Sequence, residues 1–136
     1  MANLLRMQHA GRNNCIEIHS KDNKTVKLAA SLAEKKHRDA LGAYLIEGPN
    51  LVREALQQGV RIQFIFTGAG ALNQQQEIQD ILSLAEDSDS AVCVLSEDCF
   101  AKIATSQTPQ PIMAVAVKAD VAAARRFLPG GQRAGA

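Results

Sequence analysis

The chain has 136 residues, 46% hydrophobic and 21% charged, with four Phe, one Tyr and no Trp; this suits one globular domain whose core is built from Ala, Val, Ile and Leu. Cys15, Cys93 and Cys99 form no CxxC pair and no zinc spacing with a histidine, residues 1–7 are too poor in apolar side chains for a signal peptide, and no apolar run nears the roughly 18 residues of a membrane span, so a disulfide scaffold, a zinc module and a membrane anchor are excluded and a soluble, cytoplasmic protein is expected. The net charge of +1 conceals a segregation: residues 1–38 hold eight Lys/Arg against three carboxylates (+5), residues 39–100 hold two against ten (−8), and residues 101–136 hold five against one (+4), so a polyanion would engage the ends of the sequence rather than its middle.

In chain order, residues 1–14 are polar and rich in Asn and Arg and are expected to form a flexible segment. The periodicity then predicts one helix over residues 25–39, with Val26, Ala29, Ala30, Leu32, Ala33 and Ala40 as its apolar stripe. The opposite face carries Lys24, Lys27, Ser31, Lys35 and Arg38, which on a continuous helix form a single solvent-facing row. Residues 44–47 read as a strand. Gly48-Pro49 starts the next helix, because proline at the first helical position gives up an N–H that has no intrahelical partner, and Gly59 ends it. Its core face is Leu51, Val52, Ala55 and Leu56.

A second strand, residues 62–67, leads into Gly68-Ala-Gly70. Asn73 with Gln76 three residues on resembles a capping box, and Ile78, Ile81, Leu82 and Ala85 carry a helix to Glu86-Asp87. Residues 91–95 form the third strand. Ser96 caps a short helix over residues 97–104, in which Glu97 and Asp98 favour the helix dipole while Phe100 and Ile103 point inward. Residues 112–117 form the last strand, and residues 121–136, rich in Gly and Ala, are expected to be a flexible tail or linker.

Helices alternating with strands predict one domain over residues 15–120, a three-layer α/β/α sandwich around a four-stranded, mainly parallel sheet. The strand segments are nearly continuous apolar runs, as strands covered on both faces require.

Few residues suggest chemistry. Gly68-Ala-Gly70 follows a strand, where a phosphate-cradling loop would sit, but the third glycine position is Asn73 and no Walker lysine is present; a plain strand-to-helix turn is the better reading. Cys93 and Cys99 fall in apolar segments and read as small hydrophobes, and His9, His19 and His37 are too scattered for a shared metal. The strongest constellation is the basic row with its approach from Ile18 to Lys27, where cations and the Asn23 amide on one face can hold phosphates and ribose hydroxyls. The plain alternative is a solvated helix face. If about five phosphates are neutralised, a single-strand slope of about −0.7 per phosphate gives a salt slope near −3.5, typical of modest affinity.

Ile18-x-Ser20-x-x-Asn23 with Val26-Lys27, then Lys35-Lys36-x-Arg38, Tyr44-Leu-Ile-Glu47-Gly48, Leu51-Val52, Glu54-Ala55, and Thr105-x-x-Thr108-Pro109-Gln110 leading into Ile112-x-Ala114-Val115 together resemble the N-terminal substrate-binding domain of the SpoU-like (SPOUT superfamily) RNA 2′-O-methyltransferases. The resemblance implies a fold similar to that of the kink-turn-binding ribosomal proteins, and ribosomal RNA, alternatively tRNA, as the partner. It carries over Asn23, Lys27, Arg38, Glu47 and Gly48 and the loop holding Thr105, Thr108 and Gln110 as RNA-contacting positions, beside Lys24 and Lys35 of the basic row. Pro111 stands where family members usually have glycine, which stiffens that loop.

The resemblance also implies that methyl transfer belongs to a separate knotted domain, which binds S-adenosylmethionine, carries the catalytic arginine and asparagine, and makes the parent enzyme a homodimer. The expectation for this chain is therefore a monomeric recognition domain with no cofactor, no metal and no catalytic residue of its own. A free-standing kink-turn-like RNA or ribosome binder is the alternative, and a small α/β enzyme or nucleotide binder using Gly68 and Gly70 a third reading.

Overall fold

The computed structural model describes residues 15–105 and 110–118; the segments 1–14 and 121–136, expected to be flexible, lie outside the described residues. Strand β1 (Cys15–Ile18) is followed by helices α1 (Lys24–Ser31) and α2 (Lys35–Leu41), strand β2 (Ala43–Glu47), helix α3 (Pro49–Gln57) and strand β3 (Ile62–Gly68). Then come α4 (Ala69–Gln74), α5 (Gln76–Leu84) with a 3-10 turn at Ala85–Asp87, β4 (Ala91–Leu95), α6 (Glu97–Ile103) and β5 (Ile112–Val117).

The strands form one sheet in the order β1-β4-β3-β5-β2. β1 pairs with β4, and β4 with β3, in parallel; β5 pairs antiparallel with both β3 and β2. Four strands therefore run the same way and β5 alone is reversed. The sheet has five strands rather than the expected four, because β1 gives little signal: it is a four-residue edge strand in which Ile16 is 46% exposed. Its place is fixed by pairing with β4, through Cys15 opposite Val92 to Ile18 opposite Leu95, which local periodicity does not encode.

Both faces of the sheet are covered, as the apolar runs predict. Along β5, Ile112, Ala114 and Ala116 point to one face while Met113 and Val115 point to the other. The first face packs against Val52 of α3, Leu72 of α4 and Ile78, Ile81 and Leu82 of α5. The second packs against Val26, Ala29 and Leu32 in and after α1 and Cys99 and Ile103 of α6. Each fully buried Leu, Ile or Phe in these layers contributes about 1.5–3 kcal/mol relative to exposure. Two buried hydroxyls find partners: Ser90 Oγ donates to the Ile62 carbonyl at 2.8 Å, and Thr67 Oγ1 to the Pro111 carbonyl at 3.0 Å.

The single helix expected over residues 25–39 is two helices. α1 tightens at its end into 3-10-type bonds, Leu32 N–H to Ala29 O, Ala33 N–H to Ala30 O and Glu34 N–H to Ser31 O, and Glu34 is extended. The Arg38 guanidinium then folds back and donates from Nη1 to the carbonyls of Leu32 and Ala33, both at 3.0 Å, satisfying acceptors that a continuing helix would have used. The expected capping box is also replaced: Asn73 lies inside α4, and Gln75, in extended conformation, separates α4 from α5. Other sequence signals stand as expected: Pro49 at the first position of α3, Gly59 at positive φ beyond its end, and the Ser96 hydroxyl accepting from the Cys99 N–H at 3.3 Å.

Candidate nucleic-acid interface

Parallel strands that each feed a helix place all their carboxyl ends on one rim. Here that rim collects the turn from β1 to α1 (residues 19–23), the turn Glu47-Gly48, the starts of α4 and α6, and, because β5 is reversed, the segment that leads into β5. Ligands of α/β sheets commonly sit outside this rim.

At the first turn, Asn23 caps α1: its Oδ1 accepts from the N–H groups of Thr25 at 2.8 Å and Val26 at 3.3 Å. Its carbonyl oxygen is thus committed to the helix, and only its amide group is left to face a ligand. Lys24 and Lys27 in the first turn are exposed and, among the described residues, unpaired. The Lys102 ammonium donates to the Lys21 carbonyl at 3.2 Å, tying α6 to this turn and adding a cation beside it.

The break between α1 and α2 undoes the single basic row. Lys35 is carried on α2 and bonds Asp39 at 2.7 Å, and Lys118 lies 3.6 Å from the same carboxylate. The Asp39 carboxyl is held below its ordinary value by the hydrogen bond and charge of Lys35, which outweigh a cost of desolvation, and Lys118 adds a smaller lowering effect. Arg38 spends its Nη1 on the end of α1. Of the expected row, Lys24 and Lys27 remain free cations, while Lys35 and Arg38 serve the local structure.

At the second turn, four expected residues meet. Glu47 Oε2 accepts from the Thr105 N–H at 3.0 Å and from the Thr105 hydroxyl. Gly48, at φ 106, donates its N–H to the Ile112 carbonyl at 2.9 Å, and a Cβ there would stand 3.3 Å from Oε1 of Gln110. Together with the Thr67 to Pro111 bond, these contacts fix both ends of the loop between α6 and β5 against the rim. Thr108, inside that loop, lies outside the described residues.

Sequence reasoning missed a cavity. A space of about 660 Å³ opens between α4, α6 and Pro111, lined by Gly70, Leu95, Glu97, Phe100 and Ala104 among others. Phe100, expected inward, is half-buried on its wall. The available signal was the run of small residues, Gly68, Gly70, Ala101 and Ala104, which leaves room between two helix starts. Among the described residues no group of three or more His, Cys, Asp or Glu is placed to hold a metal, and no helix is long and apolar enough to cross a membrane.

The family model for the MRM3-like substrate binding domain matches residues 23–114. The 23S rRNA (guanosine(2553)-2′-O)-methyltransferase RlmP of Bacillus subtilis (strain 168) is 33% identical over 101 residues, covering 73% of this chain and 36% of that protein. A crystal structure of an RNA 2′-O ribose methyltransferase is 30% identical, with a TM-score of 0.64 over 76% of this chain and 38% of the other. An rRNA methyltransferase from Sinorhizobium meliloti shares the fold at 23% identity and TM-score 0.66, over 78% of this chain and 38% of the other. The chain thus spans little more than a third of the relatives it matches.

Proposed function

Because this chain belongs to the MRM3-like substrate binding domain family, we propose that residues 15–120 hold ribosomal RNA for 2′-O-ribose methylation by a SpoU-type enzyme. The observation that carries this reading is the rim itself: the unpaired Lys24 and Lys27 stand on the same edge as a loop pinned by Glu47, Gly48, Thr105 and Gln110. Cations draw the phosphates, and the fixed loop sets the register in which the strand is held.

In this division of labour the domain presents substrate, and S-adenosylmethionine and the transfer step belong to the part of such enzymes that this chain does not match. Ribosomal RNA is favoured over tRNA by the relative matched at 33% identity. The domain works in the cytoplasm and is a monomer by itself, which sedimentation of the isolated chain checks.

Gel-shift titration of the chain with ribosomal RNA fragments over a salt series tests the proposal. We expect log K to fall linearly with log salt, and Lys24→Ala with Lys27→Ala to reduce that slope by about 0.7 each. Binding that ignores salt, or survives both substitutions unchanged, overturns it.

A further inference from the structure

The cavity between α4 and α6 shares Gln110 and Pro111 with the pinned loop, but its interior takes no part in the contacts proposed so far. We propose that it receives one unstacked guanine base of single-stranded RNA, with the Glu97 carboxylate accepting from the N1–H and N2–H of the base. The inference rests on the RNA-binding reading above and deepens it.

Size and place come first. About 660 Å³ falls within the roughly 300–1,000 Å³ typical of small-molecule sites, and the cavity opens at the carboxyl ends of β3 and β4, on the rim that carries Lys24 and the pinned loop. Its walls combine the apolar Leu95, Ala104 and Pro111 and the half-buried ring of Phe100 with the polar Ser96 and Gln110. Unstacked RNA bases are typically held against such an aromatic wall and read along their Watson–Crick edge.

Gly70 lines the cavity and is exposed, and a Cβ built on it meets nothing within 4 Å, so a side chain placed there has open space around it.

Charge then separates base from phosphate. Among the described residues the charged lining group is a carboxylate, exposed and without a partner, which disfavours a phosphate inside the cavity. Lys24 and Lys102 stand outside it, on the α1 and α6 side, where the backbone can run.

The same carboxylate selects the base. An ionised carboxylate only accepts hydrogen bonds, and its two oxygens match two adjacent donors. Guanine presents such a pair in N1–H and N2–H. Adenine and cytosine set an acceptor nitrogen beside their amine, and uracil flanks its one N–H with two carbonyls, so each leaves one carboxylate oxygen facing an acceptor.

Chemical-shift titration of the chain by NMR tests this with GMP, AMP, CMP, UMP and inorganic phosphate, and with uridine hexamers that do or do not contain one guanosine. GMP should move the resonances of Gly70, Phe100 and Ala104 and bind about tenfold more tightly than the other nucleotides, and the guanosine-containing hexamer should bind more tightly than GMP. Glu97→Gln should cost about tenfold for guanine alone. Gly70→Phe, which puts a bulky side chain on the cavity lining at a position with open space around it, should abolish the shifts of Phe100 and Ala104 while leaving the rest of the spectrum in place.

Equal response to all four nucleotides, shifts caused by phosphate alone, tighter binding of GMP than of the hexamer, or persistence of the shifts in Gly70→Phe overturns the proposal. If the salt-sensitive gel shift persists in the same variants, only the base pocket falls. If the gel shift is absent in the unmodified chain, the broader reading falls with it.

Discussion

Gly48 is the residue at which backbone conformation and loop position meet. A φ of 106 lies in a region that side chains rarely adopt, and the absent Cβ leaves room for Gln110 at 3.3 Å. Gly48→Ala is expected to destabilise the domain by about 1–3 kcal/mol, read by chemical denaturation. Asp39 shows a different effect at the same scale. Its carboxyl is depressed by Lys35 and then Lys118, so the stabilisation it gives is fully present above its ordinary pKa of 3.8 and is lost as pH falls through the lower folded value. Lys35→Ala should raise the Asp39 midpoint toward 3.8 in an NMR pH titration, and an unmoved midpoint refutes the assignment of cause.

Among the elements, the break between α1 and α2 decides which cations face a ligand. Arg38 closes α1 through two carbonyls, a contact between an ion and a helix end that favours the helix dipole. Arg38→Ala is expected to cost about 1–2 kcal/mol of stability in thermal or denaturant unfolding and, in the folded protein, to weaken RNA binding less than Lys27→Ala. A variant as stable as the parent but defective in RNA binding contradicts this. No glycine or proline marks the break, so periodicity carries the stripe of Val26, Ala29 and Leu32 straight through it; the stop is written by a side chain six residues beyond Leu32.

Elements whose signals are local were legible: Pro49 and Gly59 bound α3, Ser96 starts α6, and the apolar runs of β2 to β5 stand where they are expected. β1 and α4 were not, since a four-residue edge strand and a six-residue helix depend on packing rather than on pattern. The candidate site divides the same way. Glu47, Gly48, Thr105 and Gln110 converge, although 58 residues separate Glu47 from Thr105. The basic row, read from spacing alone, required a continuity that the chain does not have.

At the level of the whole molecule, the segregation of charge along the sequence becomes in part a segregation in space. Lys24, Lys27 and Lys102 belong to the α1 and α6 layer, which also holds Glu97 and Asp98 at the start of α6, while Glu77, Asp80, Glu86 and Asp87 belong to α5 and the turn after it, on the other side of the sheet. A helix is about 10 Å across, and the screening length at physiological salt is about 8 Å, so the acidic layer exerts little force on RNA held at the basic one. Asp80→Ala with Asp87→Ala should change RNA affinity by less than about twofold at 0.15 M salt in a gel-shift assay. A larger gain in affinity indicates that RNA also crosses the α5 layer.

The reversal of β5 has a consequence for how the domain can be mounted. The chain enters the sheet at Cys15 and leaves it at Lys118, and both positions lie at the rim away from the one that gathers Glu47, Ser96 and Gln110. Val117 and Lys118 are anchored there by bonds to the carbonyls of Arg61 and Gly42. A six-residue strand at about 3.3 Å per residue puts roughly 20 Å between that exit and the RNA-facing edge. Spliced through these two positions into a loop of an unrelated scaffold, residues 15–118 would carry their reading edge on the side away from the attachment.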